Sequence, residues 1–154
     1  MIASTHLAVG AVSGLLVQKY LPPSYGLIER IGAGFLLGVI SHILTDAPLH
    51  KEYSFEGHKL AVTVATEILV VFAVVLYPFQ ITFLSSVIFS GMIGGALPDF
   101  ISISYNNGFK WRWLGNIDRA IHFFHGKIPL GFQMGLGWQV ILAIIAIIFV
   151  RLAR

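Results

Sequence analysis

Apolar residues in this chain come in long runs, separated by short polar stretches. Five such runs cover residues 2–20, 27–47, 60–77, 81–103 and 130–152. Each is close to the roughly 20 residues a helix needs to cross a hydrocarbon core. The breaks between them carry turn and loop chemistry: Leu21-Pro22-Pro23-Ser24-Tyr25-Gly26, a polar stretch over residues 48–57, and Pro78. Small residues recur inside the runs, at Gly10, Ser13 and Gly14, at Gly32, Gly34 and Gly38, and at Gly91, Gly94 and Gly95. Such positions let helices approach closely in lipid, and the short connections favour antiparallel neighbours. The pattern predicts an all-α, polytopic membrane helical bundle of about five transmembrane helices, built as one domain over residues 1–154.

Residues 104–129 are too polar to span. Tyr105-Asn106-Asn107-Gly108 reads as a turn, and Lys110-Trp111-Arg112-Trp113 alternates Trp with basic residues, which suits the headgroup zone. From Leu114 to His125, Leu114, Ile117, Ile121 and Phe124 recur at spacings of three and four, while Asp118, His122 and His125 share that rhythm on another face. The expectation is one short amphipathic helix lying at the interface.

Composition strengthens the membrane reading. The chain is 56% hydrophobic and 11% charged, with a mean hydropathy of +0.83, against about 25% charged residues in an ordinary soluble domain. The net charge of +3 is spread thinly and forms no basic stripe. The expected partner is therefore the lipid bilayer, with its anionic headgroups, and not nucleic acid. The absence of cysteine excludes disulfides and thiolate metal ligands.

Five crossings also determine which ends meet. On the side where the chain starts lie His6, then His42, Asp46 and His50 at the end of the second run. His58 opens the third run with Glu67 deeper in it, Asp99 closes the fourth, and Asp118, His122 and His125 lie in the connection to the fifth. All six histidines fall on this side, and so does every acidic residue except Glu29. Lys51, Lys59, Lys110, Arg112, Arg119 and Lys127 share it, against Lys19, Arg30, Arg151 and Arg154 opposite, so the positive-inside rule puts this side in the cytoplasm.

Ionisable groups within a membrane helix cost about 2.5–3.5 kcal/mol each on insertion scales and are functional by default. His42 and Asp46 stand four apart, one turn above each other on a helix face. Each could instead cap a helix end or meet headgroups, and His122 and His125 could be interfacial histidines beside Phe123 and Phe124. Gathered on one side, imidazole and carboxylate make a plausible donor set for a divalent metal. The candidate ligands are His6, His42, Asp46, His50, Asp99, His122 and His125, with His58 and Asp118 as groups that could orient them. Glu67 is the candidate general base, or a further ligand. The donor set leans to zinc, with manganese or magnesium as alternatives, and to one ion or a pair.

Three short motifs resemble the bacterial inner-membrane family of YdjM-like metal-dependent hydrolases. Thr5-His6-Leu7-Ala8-Val9-Gly10 is similar to the family's N-terminal His before a small-residue helix. Leu37-Gly38-Val39-Ile40-Ser41-His42-Ile43-Leu44-Thr45-Asp46 is similar to its Ser-His-x-x-x-Asp helix, and Ala96-Leu97-Pro98-Asp99 to its Leu-Pro-Asp segment. The order of the last two is the reverse of that in the family, and its His-Arg-Gly-x-x-His-Ser element is only loosely echoed by His122-Phe123-Phe124-His125-Gly126. The resemblance implies a prokaryotic cytoplasmic-membrane protein with a metal-dependent hydrolase site.

The residues themselves suggest hydrolysis of an amphiphilic substrate, a phospholipid or other lipid phosphoester, by metal-activated water. A transport protein using the same His, Asp and Glu groups to relay protons or pass a metal is the alternative. A one-sided polar cluster favours the former, because a permeation path needs polar groups in both halves of the membrane. A purely structural polar cluster, the third reading, predicts no bound metal.

Overall fold

The computed structural model describes residues 3–47, 62, 65, 85–106, 108–124 and 136–152, and these residues are helical with turns between. Helix α1 is Ala3–Tyr20, α2 is Leu27–Asp46, α3 is Ser86–Asn106, α4 is Arg112–Ile121, and α5 is Leu136–Leu152. A short 3₁₀ turn, His122–Phe124, continues α4.

The helix ends follow local chemistry. The start of α2 is closed by Glu29, whose Oε2 accepts from the Gly26 N–H at 2.5 Å, satisfying a donor the helix itself cannot. The carbonyl of Gln18, near the end of α1, accepts from Arg30 Nη2 at 2.6 Å, tying α1 to α2 at that end. Between α3 and α4 the chain reverses at Gly108, whose φ of 135° is open to glycine and strained for other residues.

Helices α1, α2 and α3 pack through their glycines. The α1 backbone at Gly10 meets α3 at Gly91, and Gly14 meets Val87 and Ile88. On the other flank of α3, Gly34 of α2 meets Val87 and Ser90, and Gly38 meets Gly91 and Gly95. Ser90 Oγ donates to the Ile31 carbonyl across this contact at 2.9 Å. Close approach of this kind needs the missing side chains: a Cβ on Gly91 would sit 2.7 Å from the Gly14 nitrogen. The order of contacts makes α1 antiparallel to α3 and α2 parallel to it. The start of α1 and the ends of α2 and α3 therefore gather at one end of the bundle, as the alternation of crossings requires. A buried cluster of Ala11, Leu15, Ile88 and Met92 fills the α1–α3 contact. Helix α5 joins through Thr5 Oγ1, which donates to the buried Gln139 carbonyl at 3.1 Å.

Two helices, α2 and α3, are long and apolar enough to cross a membrane. In α2 only 17% of the apolar window is buried, and Leu36, Leu37, Ile40 and Leu44 are all exposed. A core helix of a soluble domain would hide these residues. Of the other expected crossings, α1 is less apolar because Thr5, His6, Gln18 and Lys19 belong to it. Residues 60–77, the third expected crossing, lie outside the described residues apart from 62 and 65, and α5 supplies 17 residues of the fifth. The expected short amphipathic helix is present as α4 with its 3₁₀ extension. Its buried Leu114 and Gly115 face α3, with the Tyr105 ring lying over Gly115.

Candidate metal centre

The stripes of small residues lead directly into the polar cluster. On α2 the buried positions are Gly34, Gly38, His42 and Asp46, each four after the last. On α3 the same step runs Gly91, Gly95, Asp99, and on α1 it runs back from Gly14 through Gly10 to His6. The face that brings the backbones together thus carries the imidazoles and carboxylates one turn further on. His6, His42, Asp46 and Asp99 each present a donor atom, and these atoms all lie within 4.8 Å of one another.

Individual distances are shorter. His6 Nε2 is 3.2 Å from Asp46 Oδ1 and 3.7 Å from Asp99 Oδ2. His42 Nε2 is 3.3 Å from Asp46 Oδ2. The two imidazoles lie 4.0 Å apart between centroids. His6 is fully buried and His42 and Asp46 nearly so, while the Asp99 side chain is 22% exposed. Asp99 is thus the most exposed of the four, although its Oδ2 is itself buried.

Hydrogen bonds to the far nitrogens orient both rings. His42 Nδ1–H donates to the Gly95 carbonyl at 2.9 Å. Pro98, buried inside α3, has no N–H for the Gly94 carbonyl and loosens the turn to which Gly95 belongs. Thr45 spends its hydroxyl proton on the carbonyls of Ser41 and His42, at 2.9 and 3.0 Å. Its oxygen is then the acceptor for His6 Nδ1–H at 3.2 Å. With Nδ1 engaged in both rings, Nε2 is the nitrogen each imidazole turns toward the carboxylates.

Lone pairs facing carboxylate oxygens repel. Both Nε2 atoms are buried, and at 3.2 and 3.3 Å from Asp46 each could share a proton with the carboxylate or direct a lone pair at a cation held between them. A metal cation would satisfy all four groups at once. Around a four-coordinate zinc with bonds of about 2.0–2.2 Å, neighbouring donors stand roughly 3.4 Å apart, and here one donor atom from each of the four residues can be chosen so that all lie within 4.8 Å of one another. Two carboxylates and two neutral imidazoles carry a formal charge of −2, which a divalent ion neutralises, and buried charge is tolerated when so compensated. The residues fit a divalent metal, which the buried group could hold.

Of the seven candidate ligands, these four come together. His122 lies beside them, its ring edge-on to His42 with centroids 5.6 Å apart. Its Nδ1 is 3.0 Å from the Asp118 carbonyl and 3.1 Å from Asp118 Oδ1. His50, Glu67 and His125, and also His58, lie outside the described residues. The sequence reading passed over Thr45, the Gly95 carbonyl and Gln139. The signal for Thr45 was its place three after His42 on a mainly apolar helix, and for Gln139 it was an amide, one of two with Gln133, in a mainly apolar run. Nothing in the sequence marks the Gly95 carbonyl. No family model, curated protein or solved structure matches this chain.

Proposed function

We propose that this protein is a membrane-embedded, metal-dependent hydrolase of the YdjM-like kind, acting on a phospholipid or other lipid phosphoester. The observation that carries the proposal is the meeting of His6 Nε2, His42 Nε2 and the Asp46 and Asp99 carboxylates, with both Nδ1 protons already committed elsewhere. His6, His42, Asp46 and Asp99 would hold the ion. Asp46, with one oxygen facing each imidazole, could also bridge two. When bound, the metal supplies Lewis acidity and makes water available as a nucleophile near neutral pH.

The chain's own groups do the rest. The glycine contacts hold the three helix ends in place. Thr45 and the Gly95 carbonyl hold the ring orientations, and burial of His6 and His42 keeps bulk water from three sides. Asp99, the exposed member, is where a substrate would approach. Glu67 remains the proposed base, and His50, His122 and His125 the proposed additional ligands. The site would face the cytoplasm, within a bundle of about five crossings.

One observation weighs against the transport reading. Beyond the cluster, α1, α2 and α3 are in backbone contact at Gly10, Gly14, Gly34, Gly38 and Gly91. A conduit along that axis has no room.

The test is metal content followed by turnover. Protein purified in mild detergent should carry close to stoichiometric divalent metal by elemental analysis, zinc being the expected ion. Asp46→Ala should lose it, and the loaded wild type should release phosphate or headgroup from a phospholipid panel. Wild type that stays metal-free on titration rejects the metal centre. Metal-loaded protein that turns over no lipid, while proteoliposomes show a metal or proton flux, replaces the hydrolase with a transporter.

A further inference from the structure

Next to the metal centre, the elbow between α3 and α4 is built unlike the rest of the surface. Phe109, Trp111 and Trp113 are 57%, 55% and 56% exposed, so three large aromatic rings face outward together. They are packed on one another: Phe109 and Trp111 meet edge-to-face at 5.6 Å, and Trp111 stacks on Trp113 at 5.8 Å. Lys110 and Arg112 lie between them in sequence and are exposed. Among the described residues, no carboxylate pairs with either. Lys110 Nζ sits 4.7 Å over the Tyr105 ring, while Arg119 is taken up locally by the Gly115 carbonyl and Asn116.

The elbow's position in the fold indicates its surroundings. It follows directly on α3, which is long and apolar enough to cross a membrane and ends at Asn106. A turn at Gly108 then leads into α4, which packs back on the end of α3 through Tyr105 and Gly115. Residues 109–113 therefore emerge at the level where a spanning α3 leaves the hydrocarbon, and amphipathic rings beside exposed basic side chains suit that zone. Asp99 lies seven residues before Asn106, about 10 Å along the helix at 1.5 Å per residue.

We propose that Phe109, Lys110, Trp111, Arg112 and Trp113 form a binding surface for anionic phospholipid headgroups, with the rings wedged among the acyl-chain tops and Lys110 and Arg112 on the phosphates. This rests on the membrane reading of α3 and deepens the proposed function: it concentrates acidic lipid near Asp99, the most exposed of the four candidate ligands. Each basic side chain near an anionic surface enriches such lipid roughly fivefold.

The test uses full-length protein with Trp138→Phe, leaving Trp111 and Trp113 as the fluorophores. It is reconstituted into phosphatidylcholine vesicles containing phosphatidylglycerol, with either lipid brominated on its acyl chains at equal mole fraction. The protein should float with the vesicles, and brominated phosphatidylglycerol should quench at least twofold more than brominated phosphatidylcholine. The Lys110→Gln/Arg112→Gln double variant should retain quenching and lose the difference. Equal quenching by the two lipids, no quenching by either, or a difference that survives in the double variant overturns the proposal and leaves the metal centre intact. Protein that fails to float overturns the membrane reading and this surface with it.

Discussion

At the residue scale, the chemistry depends on which imidazole nitrogen carries the proton. His42 and His6 are alike in sequence terms, but one is set by a backbone carbonyl and the other by a threonine hydroxyl. Thr45→Val keeps the size of the side chain and removes the acceptor for His6 Nδ1–H. Outer hydrogen bonds of this kind are worth about 10–100-fold in metal affinity, so the variant should bind the ion by that much more weakly in a chelator competition while keeping its fold by circular dichroism. Thr45→Ser, which restores the oxygen, should recover affinity. An unchanged affinity in Thr45→Val would show that His6 is oriented by packing alone. His122→Ala should leave metal content unchanged if this ring only lines the pocket beside His42, and lower it if His122 is a ligand.

At the element scale, α1, α2 and α3 each combine a packing face and a ligand face in one stripe. Glycine is required where backbones touch and is dispensable elsewhere on the same helices, and the structure separates the two cases. A Cβ on Gly91 would meet the backbone of α1, which cannot give way. Gly91→Val should therefore cost about 3 kcal/mol by overpacking, read as a lower unfolding temperature in detergent. It should also strip the metal, because the same stripe positions Asp99. Gly32 has nothing within 4 Å of its Cβ position, so Gly32→Ala should change stability by less than about 1 kcal/mol and leave metal content alone. If both variants behaved alike, the glycine contacts would not be what holds the helix ends together.

At the scale of the whole molecule, a cation held by His6, His42, Asp46 and Asp99 would clamp three helices that are otherwise joined by small-residue packing. Metal then binds the folded state alone and stabilises it by mass action, about 2.7 kcal/mol at a free concentration 100 times the dissociation constant. Chelation should lower the unfolding temperature. In hydrogen exchange it should raise uptake at the start of α1 and the ends of α2 and α3, and leave the opposite end, near Arg30 and Gln18, unchanged. Uniform loosening of all helices would place the ion elsewhere.

The helical class, the apolar runs, the amphipathic segment after Asn106 and the gathering of His6, His42 and His122 at one end were legible in the sequence, because run length and residue period are properties of the chain read in order. The i, i+4 step from Gly38 through His42 to Asp46 was also there to be read. It states only that these side chains share a face, not what that face meets. The contact of Gly91 with both Gly10 and Gly38 settled that. It joins residues far apart in the chain through backbone atoms that carry no sequence label, and it is what brings His6, His42, Asp46 and Asp99 to one point. The hydrogen bond from His42 to the Gly95 carbonyl belongs to the same class. Any residue type supplies a carbonyl, so only the tertiary structure could say that this one orients the ring.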